Sequence, residues 1–224
     1  QVQSPSSISR SDSWKSEGES MDRLELHGML SGLLEASGDN TLPPDAAQYP
    51  GAAGTPIFDA PLMGVASASD PIFNELLRHG VIGPHHMPPA AWLPGATSVI
   101  SFFFPFSDEV RRSNRVEMSI PSAGWLYARI EGQALINRLM AELALTLASS
   151  GNRCIVPSLD ARFWSKTSEK VPHHPGLTYT SPWSERHVAF ICGLGTFGLS
   201  KGYAVIPEDN NMTWTIDGQE YQRS

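Results

Sequence analysis

The segment GWLYARIEGQALINRLMAELALTLASS, residues 124–150, has the clearest helical pattern in the chain and predicts the main helix of the fold. Leu135, Leu139 and Leu143 recur every four residues, which places their side chains on one face of a helix. Gly151 follows directly, and glycine is the preferred residue just beyond a helix end. We therefore expect a long helix that buries a leucine-rich face and ends at Gly151.

Segments on both sides of this helix predict strands and shorter helices. Residues 97–104 are β-branched and aromatic on both faces, which is typical of a central strand covered on both sides. Residues 153–157 and 187–192 are further strand candidates, whereas residues 21–34 and 72–79 are predicted to be helical. This alternation predicts an α+β fold in which helices flank a mixed sheet.

Composition divides the chain into four segments. Residues 1–20 contain eight serines and little apolar periodicity, so they are predicted to be a disordered tail. Residues 21–70 are interrupted by prolines and predict a loop-rich segment with one short helix. Residues 71–202 are expected to form the α+β domain, and residues 203–224 are assigned to a separate C-terminal segment.

Charge and hydropathy restrict the partners that this chain is expected to bind. The chain has 224 residues, with 16 Lys and Arg against 23 Asp and Glu, and a net charge of −7. Without a basic run, this balance argues against binding to a phosphate backbone, including that of tRNA. The most apolar stretch, residues 99–106, is much shorter than a membrane span. No membrane association is expected, and the predicted location is the cytoplasm.

The cysteine count limits the metal chemistry of the chain. Cys154 and Cys192 are its two cysteines. Two thiols cannot supply the four thiolates of a zinc site or of an iron–sulfur cluster. No iron–sulfur cluster and no metal site is therefore expected within this chain.

Residues 183–202, WSERHVAFICGLGTFGLSKG, carry the densest cluster of glycines. Residues 193–198 match the dinucleotide fingerprint GxGxxG, but that fingerprint needs a helix after the glycines. Gly202 and Pro207 follow too soon for such a helix, so we reject a nicotinamide site. The glycines either allow a flat ligand to approach the backbone or form a turn between buried elements.

Histidine and serine side chains could bind a metal ion or take part in catalysis. The histidine pairs at residues 85–86 and 173–174 lack standard ligand spacing, which favours loop hydrogen bonding over zinc binding. Ser184, Glu185 and His187 lie close in sequence, but a catalytic triad is recognised by its geometry. A small-molecule enzyme that uses the histidine loops and Glu185 is therefore the least favoured of three hypotheses.

Together with four other segments, residues 183–202 resemble the epoxyqueuosine reductase-like iron–sulfur proteins. The other segments are IGPHH at 82–86, WLPGATSVISFFFPF at 92–106, SNR at 113–115 and RIEGQ at 129–133. The resemblance extends over about residues 71–202. This family is related to the corrinoid-dependent epoxyqueuosine reductases and, more distantly, to the reductive dehalogenases.

The resemblance implies a cobalamin-binding type of domain and a set of site residues. The corrin ring would lie against the backbone or side chains of Gly193, Gly195, Thr196, Phe197, Gly198 and Ser200. In the tRNA-modifying relatives, an acid at the start of the long helix donates a proton, and the nearest acid here is Glu131. Glu131 is therefore the candidate catalytic residue.

The resemblance also implies the source of electrons. In the family, a following domain with two 4Fe-4S clusters delivers electrons to cobalt, and the enzymes remove the epoxide oxygen of epoxyqueuosine in tRNA. Because this chain lacks the cysteine runs, its electrons would come from a ferredoxin-like donor or a separate cluster-bearing chain. The leading hypothesis is a corrinoid-dependent reductase domain that stops before the cluster domain. The alternative is a non-catalytic ligand-binding or assembly domain that has lost the redox module.

Overall fold

The computed structural model describes residues 22–116, 119–165 and 180–197, together with the backbone of three short strands beyond them. Its α-helices are α1 Arg23–Ala36, α2 Ile72–Glu75, α3 Pro89–Trp92, α4 Asp108–Ser113, α5 Ala123–Ser149 and α6 Glu185–Ile191. Its strands are β1 Leu62–Ser67, β2 Ser98–Phe103, β3 Gly195–Phe197, β4 Tyr203–Val205, β5 Thr213–Ile216 and β6 Gln219–Gln222. Helices and small sheets coexist, so the predicted α+β class is confirmed. The tail predicted for residues 1–20 lies outside the described residues.

The chain forms two compact units, each assembled from two separate stretches of sequence. The first unit comprises Gln1–Pro61 and Phe104–Gly151, and the second comprises Leu62–Phe103 and Asn152–Ser224. Both units are therefore built from residues far apart in the chain. The division of the sequence at residues 70 and 202 stays a prediction. No helix among the described residues is both long enough and apolar enough to cross a membrane.

The first unit is organised around α1 and α5. Helix α1 begins at Asp22, whose carboxylate accepts the backbone N–H groups of Leu24 and Glu25 as a helix cap. The apolar faces of α1 and α5 are buried through Leu26, Leu30, Leu34, Leu135, Leu139 and Leu143. Helix α5 ends before Gly151, which has a φ of +82°. The long helix and the leucine face predicted for it are confirmed, and α1 differs from its prediction only at the ends.

Gly132 allows α5 to pass close to Phe58 inside the first unit. A Cβ atom at Gly132 would lie 2.7 Å from Cζ of Phe58. Phe58 cannot move away easily, because it is buried and stacks on Phe106 at 5.5 Å between ring centroids. The missing side chain at Gly132 is therefore a packing requirement on a helix that would otherwise favour alanine.

We predict opposite effects of the same substitution at two helical glycines. Gly132→Ala should destabilise the protein, because overpacking a core costs roughly 1–3 kcal/mol and outweighs the gain in helix propensity. Gly28→Ala is the matched control, since a Cβ at Gly28 in α1 meets nothing within 4 Å. It should stabilise the protein by about 0.5–1 kcal/mol. Urea unfolding measures both changes, and equal stabilisation by the two variants would contradict the proposed contact.

The second unit contains the antiparallel pair of β1 and β2, with Val65 opposite Ile100. The strand predicted at residues 97–104 is confirmed as β2. Each described sheet has two antiparallel strands, so the predicted mixed sheet is wrong for this part of the chain. Within the described residues β2 pairs with β1 alone, and its predicted central position is not found.

Two of the predicted strands, at residues 153–157 and 187–192, have other structures. Residues 187–192 lie in and just after α6 rather than in a strand. Their run of apolar residues is short, and such runs fit a buried helix as well as a strand. Residues 153–157 are irregular up to the 3₁₀ turn Pro157–Leu159. The ring of the proline fixes the φ angle of the first residue of that turn. Helix α2 is shorter than predicted, because regular helix ends at Glu75 and the chain continues in turns to Gly80.

The core of the second unit is centred on Trp183. Its ring stacks on Phe73 at 6.3 Å and on His86 at 5.9 Å, and meets the edge of Trp92 at 6.2 Å. Apolar residues from β1, β2 and α6 complete this cluster: Ala66, Val99, Val188 and Ile191. The aromatic cluster therefore holds α6 against the β1–β2 pair.

Candidate functional site

The first glycine of the predicted cofactor segment ends α6. Gly193 has a φ of +77°, in the left-handed region that glycine tolerates best. Its N–H donates to the carbonyl of Phe190 at 2.9 Å, and the N–H of Leu194 donates to the carbonyl of Ala189 at 3.0 Å. These two bonds form a Schellman motif, which satisfies carbonyl groups at a helix end. Gly193 thus has a local structural role.

The next residues of the cofactor segment form a short hairpin. Strand β3 pairs with β4 in an antiparallel register, with Thr196 opposite Ala204. Gly195 is buried, whereas Thr196 and Phe197 are half-buried. Among the described members of the predicted site, Thr196 and Phe197 therefore keep accessible side-chain surface. Gly198 and Ser200 lie outside the described residues.

The structure brings His187, which pairs with Ser184, into contact with the cofactor segment. Ser184 precedes α6 in the N-cap position, but its side chain does not cap the helix. Its Oγ instead lies 2.7 Å from Nδ1 of His187. The His187 ring lies 4.9 Å from the ring of Phe197, which also contacts Phe190 at 5.9 Å. A polar pair thus borders the accessible part of β3.

Two ionisable groups of α6, Glu185 and His187, are shifted toward their neutral forms. Burial lowers the pKa of His187, and the nearby positive charge of Arg186 lowers it further. Glu185 is exposed, but partial desolvation of its carboxyl group raises its pKa against the opposing effect of a hydrogen bond with Ser158. The His187 imidazole is therefore neutral at pH 7, and it is available as a hydrogen-bonding group or a ligand.

Glu131, the candidate catalytic residue, is exposed on α5 in the first unit. The glycine-rich segment belongs to the second unit. The proposed catalytic role of Glu131 stays a prediction.

A separate cavity of about 290 Å³ lies between α1 and α5 in the first unit. Arg138 and Asp39 form an ion pair at 2.6 Å beside it, and Glu131 does not line it.

The predicted histidine pair at residues 85–86 occupies two different environments. Nε2 of His85 is 2.6 Å from the hydroxyl of Thr180, and its ring lies 5.6 Å from that of Trp164. His86 is 2% exposed, and neither ring nitrogen has a hydrogen-bond partner among the described residues. The described residues contain no group of three or more His, Cys, Asp or Glu side chains placed to hold a metal ion. The pair at residues 173–174 lies outside the described part of the chain.

Burial makes the His86 imidazole a weak base. Desolvation lowers the pKa of His86 to about 4, and the nearby charges of His187 and His85 act in the same direction. A charged imidazole at this position would lie against Trp183 in the aromatic core. Folding is therefore coupled to keeping His86 neutral.

We predict that the second unit loses stability in acid because of His86. Unfolded histidine titrates near pH 6.5, so the contribution is complete above that pH and is lost as pH falls toward 4. Between pH 7 and pH 5 the expected loss is about 2 kcal/mol. Urea unfolding at both pH values measures it.

His86→Phe keeps an aromatic ring on Trp183 and should remove most of this pH dependence. His79→Gln is the matched control, because His79 is exposed and its loss should leave the pH dependence unchanged. An unchanged pH dependence in the His86→Phe variant would show that another group is responsible.

In comparisons with known proteins, no family model, no curated protein and no solved structure matches this chain.

Proposed function

We propose that the second unit is the cofactor-binding domain of a reductive oxidoreductase and that its cofactor is a corrinoid. The supporting observation is the junction of α6 and β3, where half-buried Phe197 contacts His187, which pairs with Ser184. The chemical class of the cofactor is inferred from the resemblance of residues 183–202 to the epoxyqueuosine reductase-like proteins.

The residues of this junction suit a large flat ligand. Thr196 offers a hydroxyl group and Phe197 an aromatic face, and both keep accessible surface. Gly195 is buried, so it would shape the strand, while Phe197 beside His187 would contact the ring. Ligand sites commonly combine apolar walls with a few polar groups that fix orientation. Thr196, Phe197 and His187 supply that combination.

A bound corrinoid would supply a reducible cobalt centre. The Cys192 thiol of the second unit offers little redox chemistry. Cys192 is buried, burial raises its pKa to about 12, and its Sγ lies 3.5 Å from the carbonyl oxygen of Val99. Such a thiol is a packing group rather than a nucleophile. We therefore propose an external donor of the ferredoxin type as the source of electrons.

We predict that the protein binds hydroxocobalamin and that Phe197→Ala weakens binding about tenfold. An aromatic contact is worth roughly 1 kcal/mol or more, and 1.4 kcal/mol corresponds to a factor of ten. Spectral titration of the cobalamin absorption bands measures the affinity. Phe104→Ala in the first unit is a matched aromatic control and should leave cobalamin affinity unchanged. Circular dichroism confirms that each variant is folded.

The outcomes separate the two main hypotheses. Neither a spectral shift nor co-elution of cobalamin with the wild-type protein would reject the corrinoid proposal. Binding followed by reduction of the cofactor and substrate turnover, with a supplied low-potential donor, would support an enzyme. Binding without turnover of epoxyqueuosine-containing substrates would instead favour the non-catalytic ligand-binding domain.

A further inference from the structure

We propose that the cavity between α1 and α5 is a binding site for a small aliphatic ammonium ion, whose charged end pairs with Glu142. Both helices belong to the first unit, whereas the corrinoid proposal concerns the second. The cavity is lined by apolar side chains, two carboxylates and one guanidinium group. Its size, its apolar wall and its charge each restrict the ligand.

The volume of the cavity suits a ligand of a few heavy atoms. It measures about 290 Å³, which lies at the lower end of the range for small-molecule sites. A CH₂ group takes up about as much space as a water molecule in the liquid, roughly 30 Å³, so six linked groups need roughly 180 Å³. An amine with five carbons therefore fits.

The apolar wall is formed by both helices. Leu135 and Leu139 of α5 are each 1% exposed and close the inner side of the cavity. Leu33 is half-buried and Ala36 is exposed, so these two residues of α1 keep apolar surface that a ligand can reach. A wall of this kind favours an alkyl chain over a hydrated metal ion, which prefers oxygen ligands.

The charged part of the lining has an excess of negative charge. Asp39 and Glu142 each contribute a carboxylate, and Arg138 contributes the one guanidinium group among these residues. Arg138 donates a hydrogen bond to Asp39 at 2.6 Å, so these two charges offset each other. Glu142, one helical turn beyond Arg138 on α5, supplies the excess charge.

The end of α1 adds to this negative potential. Ala36 is the last residue of the helix, Ser37 is its C-cap, and both line the cavity. The C-terminus of a helix carries about half a negative charge on its carbonyl groups. The last turn of α1 contains no basic residue that would offset it. The lining therefore favours a cation over an anion.

A primary ammonium ion with a short alkyl chain meets these requirements together. Its three N–H groups can donate to the carboxylate of Glu142 and to carbonyl oxygens at the end of α1. Its alkyl chain can pack against Leu33 and Ala36. Binding forms no covalent bond and needs no other reactant.

The test titrates n-pentylammonium into the ¹⁵N-labelled full chain and follows the backbone amide signals by NMR. We expect saturable shifts at Ser37, Asp39 and Glu142, with a dissociation constant on the order of 1 mM for so small a ligand. Uncharged 1-pentanol and anionic pentanoate are probes of the same chain length. Both should bind at least about fivefold more weakly, because neither forms the ion pair with Glu142.

Two charge variants test the assignment in opposite directions. Glu142→Gln should weaken pentylammonium binding about fivefold, as expected for the loss of one exposed ion pair. Arg138→Gln should strengthen binding, because it leaves the carboxylate of Asp39 uncompensated. Glu25→Gln is the matched control, since Glu25 is an exposed acid in the first turn of α1 outside the cavity, and it should leave the affinity unchanged.

A third variant tests the location of the alkyl chain. Ala36 is exposed, so Ala36→Phe should leave the protein folded, but the added ring should occupy the space of the ligand and abolish saturable binding. Circular dichroism checks that each variant is folded. Unchanged affinity in folded Ala36→Phe protein would place the ligand elsewhere and overturn the proposal.

The remaining outcomes also decide the proposal. Equal affinity for 1-pentanol and pentylammonium would show an apolar cavity that does not select charge. Tighter binding of pentanoate, or loss of pentylammonium binding in Arg138→Gln protein, would make Arg138 the anchor of an anion site. Either result, or the absence of any saturable shift, overturns the ammonium site. The corrinoid proposal for the second unit stands or fails separately, by cobalamin titration.

Discussion

The close approach of β1 to the end of α6 is the constraint on which the second unit depends. A Cβ atom at Gly64 would collide with the carbonyl oxygen of Cys192 and lie 2.9 Å from Cγ of Leu194. Only glycine permits this distance between two pieces of backbone. Because β1 pairs with β2 and α6 leads into β3, this contact helps to hold the start of β3 beside the β1–β2 pair.

The apolar and the polar side chains carried by α6 make different contacts. Val188, Ile191 and Cys192 are buried in the aromatic core, where Trp183 stacks on Phe73. His187 lies beside these residues in sequence, but its ring contacts Phe197 on β3. One short helix therefore contributes both to the core and to the candidate site. A change in core packing would displace the imidazole, because both are carried by the same seven residues.

The sequence was most informative where a pattern extends over several turns. Leucines repeated along residues 124–150 identify α5, and a β-branched and aromatic run identifies β2. Residues 187–192 were misread because six residues are too few to separate helical from strand periodicity. Better signals were the serine before α6 and Gly193 after it, since both are typical of helix ends. The two units were not predicted, because each joins distant stretches of chain.

The glycine-rich segment shows how much about a ligand can be inferred from a sequence motif. Gly193 is explained by the end of α6, and Gly195 is enclosed in the protein. These glycines would be useful to this fold with or without a ligand, so their density alone does not identify one. The chemical information lies in the side chains that the turn presents, Thr196 and Phe197, and in His187, which the sequence placed near them without indicating contact. On the proposed function, these side chains supply an aromatic face, a hydroxyl group and an imidazole to the ligand.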